Sequence, residues 1–288
     1  MGKKFGETFK DIRTSKNYRQ ADVNGNMMHQ TSYSKFELGK MDVTSEKFEV
    51  LLNNLEISYE EFQFIHNGYN YSERNRIINR FNELKFIEVP KIKEIISMSE
   101  CYLQTVEDRY IQDILALSTA FLVLKETENF EVPRRYAEEV WLRLQKSNMW
   151  YLADLKLINS ILFLFPISTA ISITQFAIKQ AHKYKDFNDY RKLILPFKFN
   201  LVHLLIRERA FEDAFLLNEE VIKEAKELKS YMQISLSYLR KGILLEQRLS
   251  QSDSFIVQAF EIARLIDDQA LIDQLNREKS YLSSIINS

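Results

Sequence analysis

The chain is poor in the residues that break regular structure. It has 6 glycines and 4 prolines in 288 residues. So few breakers are incompatible with the dense turns of an all-β protein, and runs that alternate β-branched and polar residues are scarce as well. Long stretches rich in Leu, Ile, Lys and Glu take their place, which is the pattern of an all-α fold. A single cysteine, Cys101, excludes an intrachain disulfide. It reads as a small buried hydrophobe in a reducing compartment, with a redox switch or an intermolecular disulfide as the other reading. The most apolar run, Ile158–Ile171, is interrupted by Asn159, Ser160 and Pro166 and falls short of the ~20 residues that span a bilayer. Met1–Lys16 is polar and lacks the apolar core of a signal peptide, so the expectation is a soluble cytoplasmic protein without a membrane partner.

Enzyme signatures are missing too. There is no Gly-rich phosphate loop, no GxSxG elbow, no HExxH and no CxxC. The four histidines, His29, His66, His182 and His203, are far apart and lack ligand-spaced acids or thiols. Carboxylate pairs such as Glu138–Glu139 and Glu219–Glu220 read as helix-surface charge. The chain is expected to be no enzyme and to need neither metal nor cofactor.

Charge is nearly balanced overall, with 39 basic and 40 acidic residues, but unevenly placed. Met1–Lys40 holds eight basic residues against four acids, whereas Met41–His66 holds one Lys against six acids. A basic face restricted to the first three helices is what contact with phosphates requires; a solvated mixed surface is the alternative.

The first ~65 residues read as five short helices: Phe5–Ser15, Gln20–Asn26, Thr31–Leu38 closed by Gly39, one starting after Thr44 or Ser45, and one starting after Ser58. The Tyr18–Lys40 segment has the outline of a helix-turn-helix, which carries side chains into the major groove of DNA. On its second helix Tyr33 and Phe36 share the face that packs inward. Thr31, Ser32 and Lys35 share the other, with Gln30 at the start; Gln and Lys can bond base edges, Ser and Thr bases or phosphates. Ser34 also fits as a small residue at a crowded crossing. Gln20 is placed to touch a phosphate, and Arg13, Lys16, Arg19 and Lys40 are flanking phosphate candidates. Arg13 equally suits an ion pair with Glu37, and His29 in the turn reads as structural.

These residues carry a resemblance. GETFKDIRTSK (Gly6–Lys16), the Gly25 segment, QTSYSKFELGK (Gln30–Lys40) and ISYEEF (Ile57–Phe62) resemble the XRE/Cro-type helix-turn-helix, and specifically the Rgg/GadR/MutR group of Gram-positive transcriptional regulators. His29, Tyr33, Lys35 and Leu38 depart from the group's usual Ser, Leu, Arg and Arg, which weakens the basic face. The resemblance implies an all-α protein: a five-helix lambda-repressor-like DNA-binding domain over residues 1–66, a linker at 67–71, and a tetratricopeptide-like helical-repeat domain over 72–288. It further implies a homodimer that binds double-stranded DNA and senses a short, usually hydrophobic, signalling peptide on a concave face.

The residues past Tyr71 read as helix after helix, over 72–86, 90–104, 107–126, 133–146, 149–164, 167–184, 189–207, 211–228, 231–249, 253–266 and 268–286. They are interrupted only at Pro90, Pro133, Pro166 and Asn188–Asp189, which makes antiparallel neighbours. Ala170, Ala177 and Ala181 are echoed at Ala214, Val221 and Ala225, and Ala214–Phe215 at Ala259–Phe260, which suggests stacked helical hairpins with a degenerate repeat. Polar residues among apolar ones are the candidate ligand contacts: Asn159, Lys198, Asn200 and His203, continued by Asn218 and Tyr238. Asparagine offers a donor and an acceptor to a peptide backbone. Trp150 fits a pocket or the core. The apolar face beyond Asp253 suits a cap or a dimer seam. Two other functions fit the same residues: a DNA-binding regulator with a non-peptide ligand or none, and a helical-repeat protein that binds other proteins.

Overall fold

A computed structural model describes residues 3–127, 129–187, 190–246 and 252–287; the expected break at Asn188–Asp189 lies outside them. The described residues form α-helices, two short 3-10 turns and connectors, with no strand among them. The chain divides into two compact units, Met1–Asn79 and Arg80–Ser288, and the segment 67–71 lies within the first.

The first unit holds α1 (Phe5–Ser15), α2 (Gln20–Asn24), α3 (Gln30–Glu37), α4 (Ser45–Asn54) and α5 (Tyr59–His66). Phe9, Val23, Tyr33, Leu51, Leu55 and Phe62 are fully buried at its centre. Phe36 of α3 lies 5.5 Å from the Phe9 ring on α1 and 6.3 Å from the Phe48 ring on α4, so the inward face expected of the second helix of the motif is the one observed. Thr44 and Ser58 cap α4 and α5 by accepting from the backbone N–H of Lys47 and Glu61, which satisfies otherwise orphaned donors. Helix α2 is two residues shorter than its apolar pattern suggests. Gly25 and Asn26 both take positive φ, at 52° and 62°, and this left-handed pair starts the turn early.

Gly6 sets the distance between α1 and α3. A Cβ built there would lie 1.7 Å from the Phe36 carbonyl oxygen, a backbone atom that no rotamer change can move. Gly6→Ala should therefore push the two helices apart and cost ~1–3 kcal/mol, as overpacking does. Urea unfolding of the variant followed by circular dichroism checks this; an unchanged midpoint would mean that α1 shifts freely over α3.

The second unit follows with α6 (Glu73–Asn82), which crosses the division, and α7 (Val89–Leu103), α8 (Arg109–Thr127), α9 (Glu131–Leu144), α10 (Leu152–Ile161), α11 (Ile167–Ala181), α12 (Arg191–Arg207), α13 (Phe211–Glu227), α14 (Tyr231–Glu246), α15 (Ser252–Leu265) and α16 (Gln269–Asn287). Consecutive helices pack as hairpins, α7 on α8, α8 on α9, and α12 through α15 each on the next. Helix α10 also packs on α12, and both α12 and α14 on α16, so these four share a layer. The repeat alanines Ala170, Ala177, Ala181, Ala214, Ala225 and Ala259 are all buried, consistent with small residues where helix axes approach closely. Pro196 sits inside α12. It has no N–H to give to the carbonyl of Lys192 one turn earlier, so that acceptor loses its helical partner. Cys101 is exposed near the end of α7, not buried as its residue type suggests; its helix turns that position to solvent. No helix among the described residues is long and apolar enough to cross a membrane.

Candidate DNA interface and helical-repeat groove

Helix α3 turns Tyr33, Phe36 and Glu37 inward and leaves Gln30, Thr31 and Lys35 exposed, with Ser32 and Ser34 half-buried. Lys35 and Lys40 are exposed and form no ion pair among the described residues. One edge of this face is held by a polar chain. Glu37 receives two bonds from the Arg13 guanidinium, at 2.5 and 2.9 Å, and one from Gln20 Nε2 at 2.7 Å. Gln20 Oε1 in turn accepts from Gln30 Nε2 at 2.5 Å and from Ser34 Oγ at 3.2 Å. The amide of Gln20 is thus fixed from both ends, and so is the start of α3.

Two of the expected phosphate contacts are placed elsewhere. Arg13 is 8% exposed. It spends its donors on Glu37 and on the Tyr18 carbonyl, and the bond to Glu37 raises its already high pKa. It is an internal strut and is withdrawn from the interface. Lys16 reaches back to the Leu55 carbonyl at 2.8 Å, at the end of α4, where a cation suits the helix dipole. Arg19 is largely exposed and pairs with Asp22, an exposed pair that is easily exchanged for another anion. Ser34 is half-buried and spends its hydroxyl proton on Gln20 of α2.

In the second unit the layer of α10, α12, α14 and α16 walls a continuous groove. Its first section, about 410 Å³, lies between Phe81, Leu155, Asn159, Pro196, Asn200 and Met232. Its second, about 400 Å³, shares Asn200 and Met232 and runs on past His203, Leu236 and Arg240. Asn200 Nδ2 donates to Asn159 Oδ1 at 3.1 Å across the groove wall. Asn159 accepts in this pair, which keeps its own amide N–H donors and the side-chain carbonyl of Asn200 for a ligand. His203 stacks on Tyr281 with centroids 5.7 Å apart and lies 3.6 Å from Glu278.

Four expected ligand contacts turn away from this groove. The Trp150 indole is 2% exposed and gives its N–H to the Leu144 carbonyl at 2.9 Å; with Trp141 and Phe176 it is core. Asn218 is fully buried and donates to the Ser237 carbonyl, tying α13 to α14. Lys198 reaches Glu220 and Glu224 on α13. Tyr238 packs between Lys226 and Phe255. Lys198 and Tyr238 lie on wall helices but on the side away from the groove, Asn218 lies on α13 and Trp150 in the connector before α10, and only tertiary packing reveals which side is covered. The sequence offered no signal for Arg240, which is 2% exposed and bonded to Glu278 at 2.6 Å; its partner lies two helices away in the chain.

Residues 134–277 match the family model for the C-terminal domain of the HTH-type transcriptional regulator Rgg. The whole fold is similar to solved structures. A putative transcriptional regulator from Listeria monocytogenes superposes with a TM-score of 0.77 at 19% identity, covering 98% of each chain. The SHP pheromone receptor Rgg2 of Streptococcus dysgalactiae gives 0.68 at 15% identity, covering 96% of this chain and 99% of that one. PlcR of Bacillus thuringiensis, solved with the peptide PapR7 and DNA, gives 0.67 at 16% identity, covering 94% and 98%.

Proposed function

We propose, from the premise that this chain belongs to the Rgg family of transcriptional regulators, that it binds double-stranded DNA through α3 as a homodimer and that a short peptide in the groove sets its activity. The observation that carries the peptide reading is the Asn159–Asn200 pair. One free amide donor and one free carbonyl, side by side on an apolar wall, match the donor and acceptor of an extended peptide unit whatever its side chains. The likeness to Rgg2, a pheromone receptor, and to PlcR, solved with a peptide and DNA, supports the same reading. Phe81, Leu155, Phe199, Met232 and Leu236 line the groove and suit apolar side chains. Binding would act on the DNA-binding units by shifting a population of arrangements.

On the DNA side, Gln30 and Lys35 are the base-reading candidates, Thr31 and Ser32 their neighbours, and Arg19, Gln20 and Lys40 the phosphate contacts. Lys35→Ala should lower affinity for a promoter fragment next to the chain's own gene by ~1–3 kcal/mol, with an unchanged thermal midpoint because Lys35 is exposed. Gel shifts across a salt series check it. A dimer should protect two half-sites whose centres are ~34 Å or a multiple apart. Purified protein that shows no salt-sensitive, sequence-specific shift would overturn the DNA reading. Short peptides should raise the melting temperature, by the equivalent of ~2.7 kcal/mol at a hundredfold excess over Kd, and Asn200→Ala should abolish that shift while leaving DNA binding of the free protein intact.

A further inference from the structure

The groove is charged as well as apolar. Lys85, on the segment after α6, Lys125 on α8, Lys156 on α10, Lys192 on α12 and Arg277 on α16 all line its sections and are all exposed. They come from five separate parts of the chain, so no local sequence pattern explains the cluster. The one carboxylate lining these sections is Glu278, and its charge is already taken by Arg240 at 2.6 Å. Among the described residues none of the four lysines has an ion-pair partner, and Arg277 bonds only to the neutral amide of Gln274.

Several cations on other faces of the unit do have carboxylate partners. Lys198 pairs with Glu220 and Glu224, Lys241 with Glu219, and Arg191 with Glu227. In a chain of 39 basic and 40 acidic residues, unpaired cations converge on one concave surface. Like charges on such a wall repel one another, and low-dielectric walls focus their field into the cleft. An anion placed there relieves that repulsion and is drawn in by it. We infer that the peptide taken by this groove is acidic as well as apolar, with carboxylates, from Asp or Glu side chains or from its C-terminus, that meet Lys156 and Lys192 in the first section and Lys85, Lys125 and Arg277 in the second. This rests on the peptide reading above. It adds the charge that separates one apolar peptide from another.

The test uses the full chain and fluorescein-labelled nonapeptide pools of equal apolar content, with two Asp, two Asn or two Lys at the same positions, read by anisotropy at two salt concentrations. The Asp pool should bind at least about tenfold more tightly than the Asn pool, a difference of one ion pair's order, with the advantage shrinking in salt. The Lys pool should not bind. K156Q with K192Q, both exposed, should keep the melting temperature and reduce the Asp advantage. Loss of the advantage on amidating the C-terminus would assign one anion to the terminal carboxylate; loss on the Asp-to-Asn change alone would assign it to side chains. Equal binding of the Asp and Asn pools overturns the charge inference and leaves the peptide reading standing. Binding of none of the pools, with no thermal shift, overturns both. Displacement of the Asp pool by duplex DNA lacking any promoter sequence would make the groove a nucleic-acid site and also overturn the inference.

Discussion

Glu37→Ala should destabilise the first unit by ~3–5 kcal/mol, because it leaves a buried guanidinium without its counter-charge. Arg13 is 8% exposed, and two of its bonds end on Glu37. Water cannot replace them without opening the contact between α1 and α3. A loss of this size approaches the whole stability of a small domain, so the variant should be largely unfolded in the first unit at 37 °C while the second unit keeps its own transition. Two-probe urea unfolding, with one probe in each unit, would show this. An R13M/E37M double variant separates stability from function. It removes both charges, so stability should return to within about 1 kcal/mol of the parent or exceed it. DNA binding should remain weak, because Gln20 has lost the Glu37 acceptor that holds it, and Gln20 in turn holds Gln30 and Ser34. A double variant that is stable and binds DNA like the parent would show that the polar chain braces the fold and does not position α3.

Fold class and helix positions were open to sequence reading because they depend on local periodicity and capping. The span expected at Phe5–Ser15 is the one observed, and those after Pro166 agree to within a few residues of α11 through α16. Errors cluster where the answer depends on a distant neighbour. By sequence Arg13 fits a phosphate contact or an ion pair with Glu37, Trp150 fits a pocket or the core, and Lys198 and Asn218 are candidate ligand contacts as polar residues among apolar ones. What consumes each of them is a group between 6 and 26 residues away: Glu37, the Leu144 carbonyl, Glu224 and the Ser237 carbonyl. Asn159 and Asn200, chosen by the same rule, do meet in the groove. The rule finds polar residues that matter and cannot say whether protein or ligand satisfies them. The unpaired cations of the groove are invisible in the sequence for a related reason: Lys125, Lys156, Lys192 and Arg277 are each unremarked on their own helix and Lys85 in the segment after α6, and only the packing of the helices brings them to one groove. Pro196 was passed over because the flanking apolar periodicity continues through it.

In the second unit the corresponding strut should make stability acid-sensitive. Burial alone would raise the pKa of Glu278, but the charge of Arg240, with bonds from His203 and Arg240, outweighs that and holds its carboxyl down at about 2, below the ordinary 4.5. A carboxyl depressed by folding contributes stability that is fully present above its unfolded value and is lost as pH falls toward the folded one. Between pH 4.5 and about 2 the second unit should therefore lose ~3 kcal/mol from this group alone. Glu278→Gln removes the titration: its stability should be lower than the parent's at neutral pH by ~3–5 kcal/mol and flatter across that acid range, so the two curves converge as the pH drops. Thermal or urea unfolding at intervals from pH 7 to pH 2.5 checks both features, and parallel curves would mean that Glu278 is not the group being protonated. The same substitution reaches the groove. Arg240 is stacked on the Phe199 ring, 4.0 Å away, and bonded to the Phe199 carbonyl at 2.7 Å, and Phe199, Arg240 and Glu278 all line the second section. Freed from Glu278, the Arg240 cation joins the unpaired ones on the wall. A ligand carrying carboxylates should then recover part of the lost stability in the variant, and a neutral one of the same apolar content should recover less.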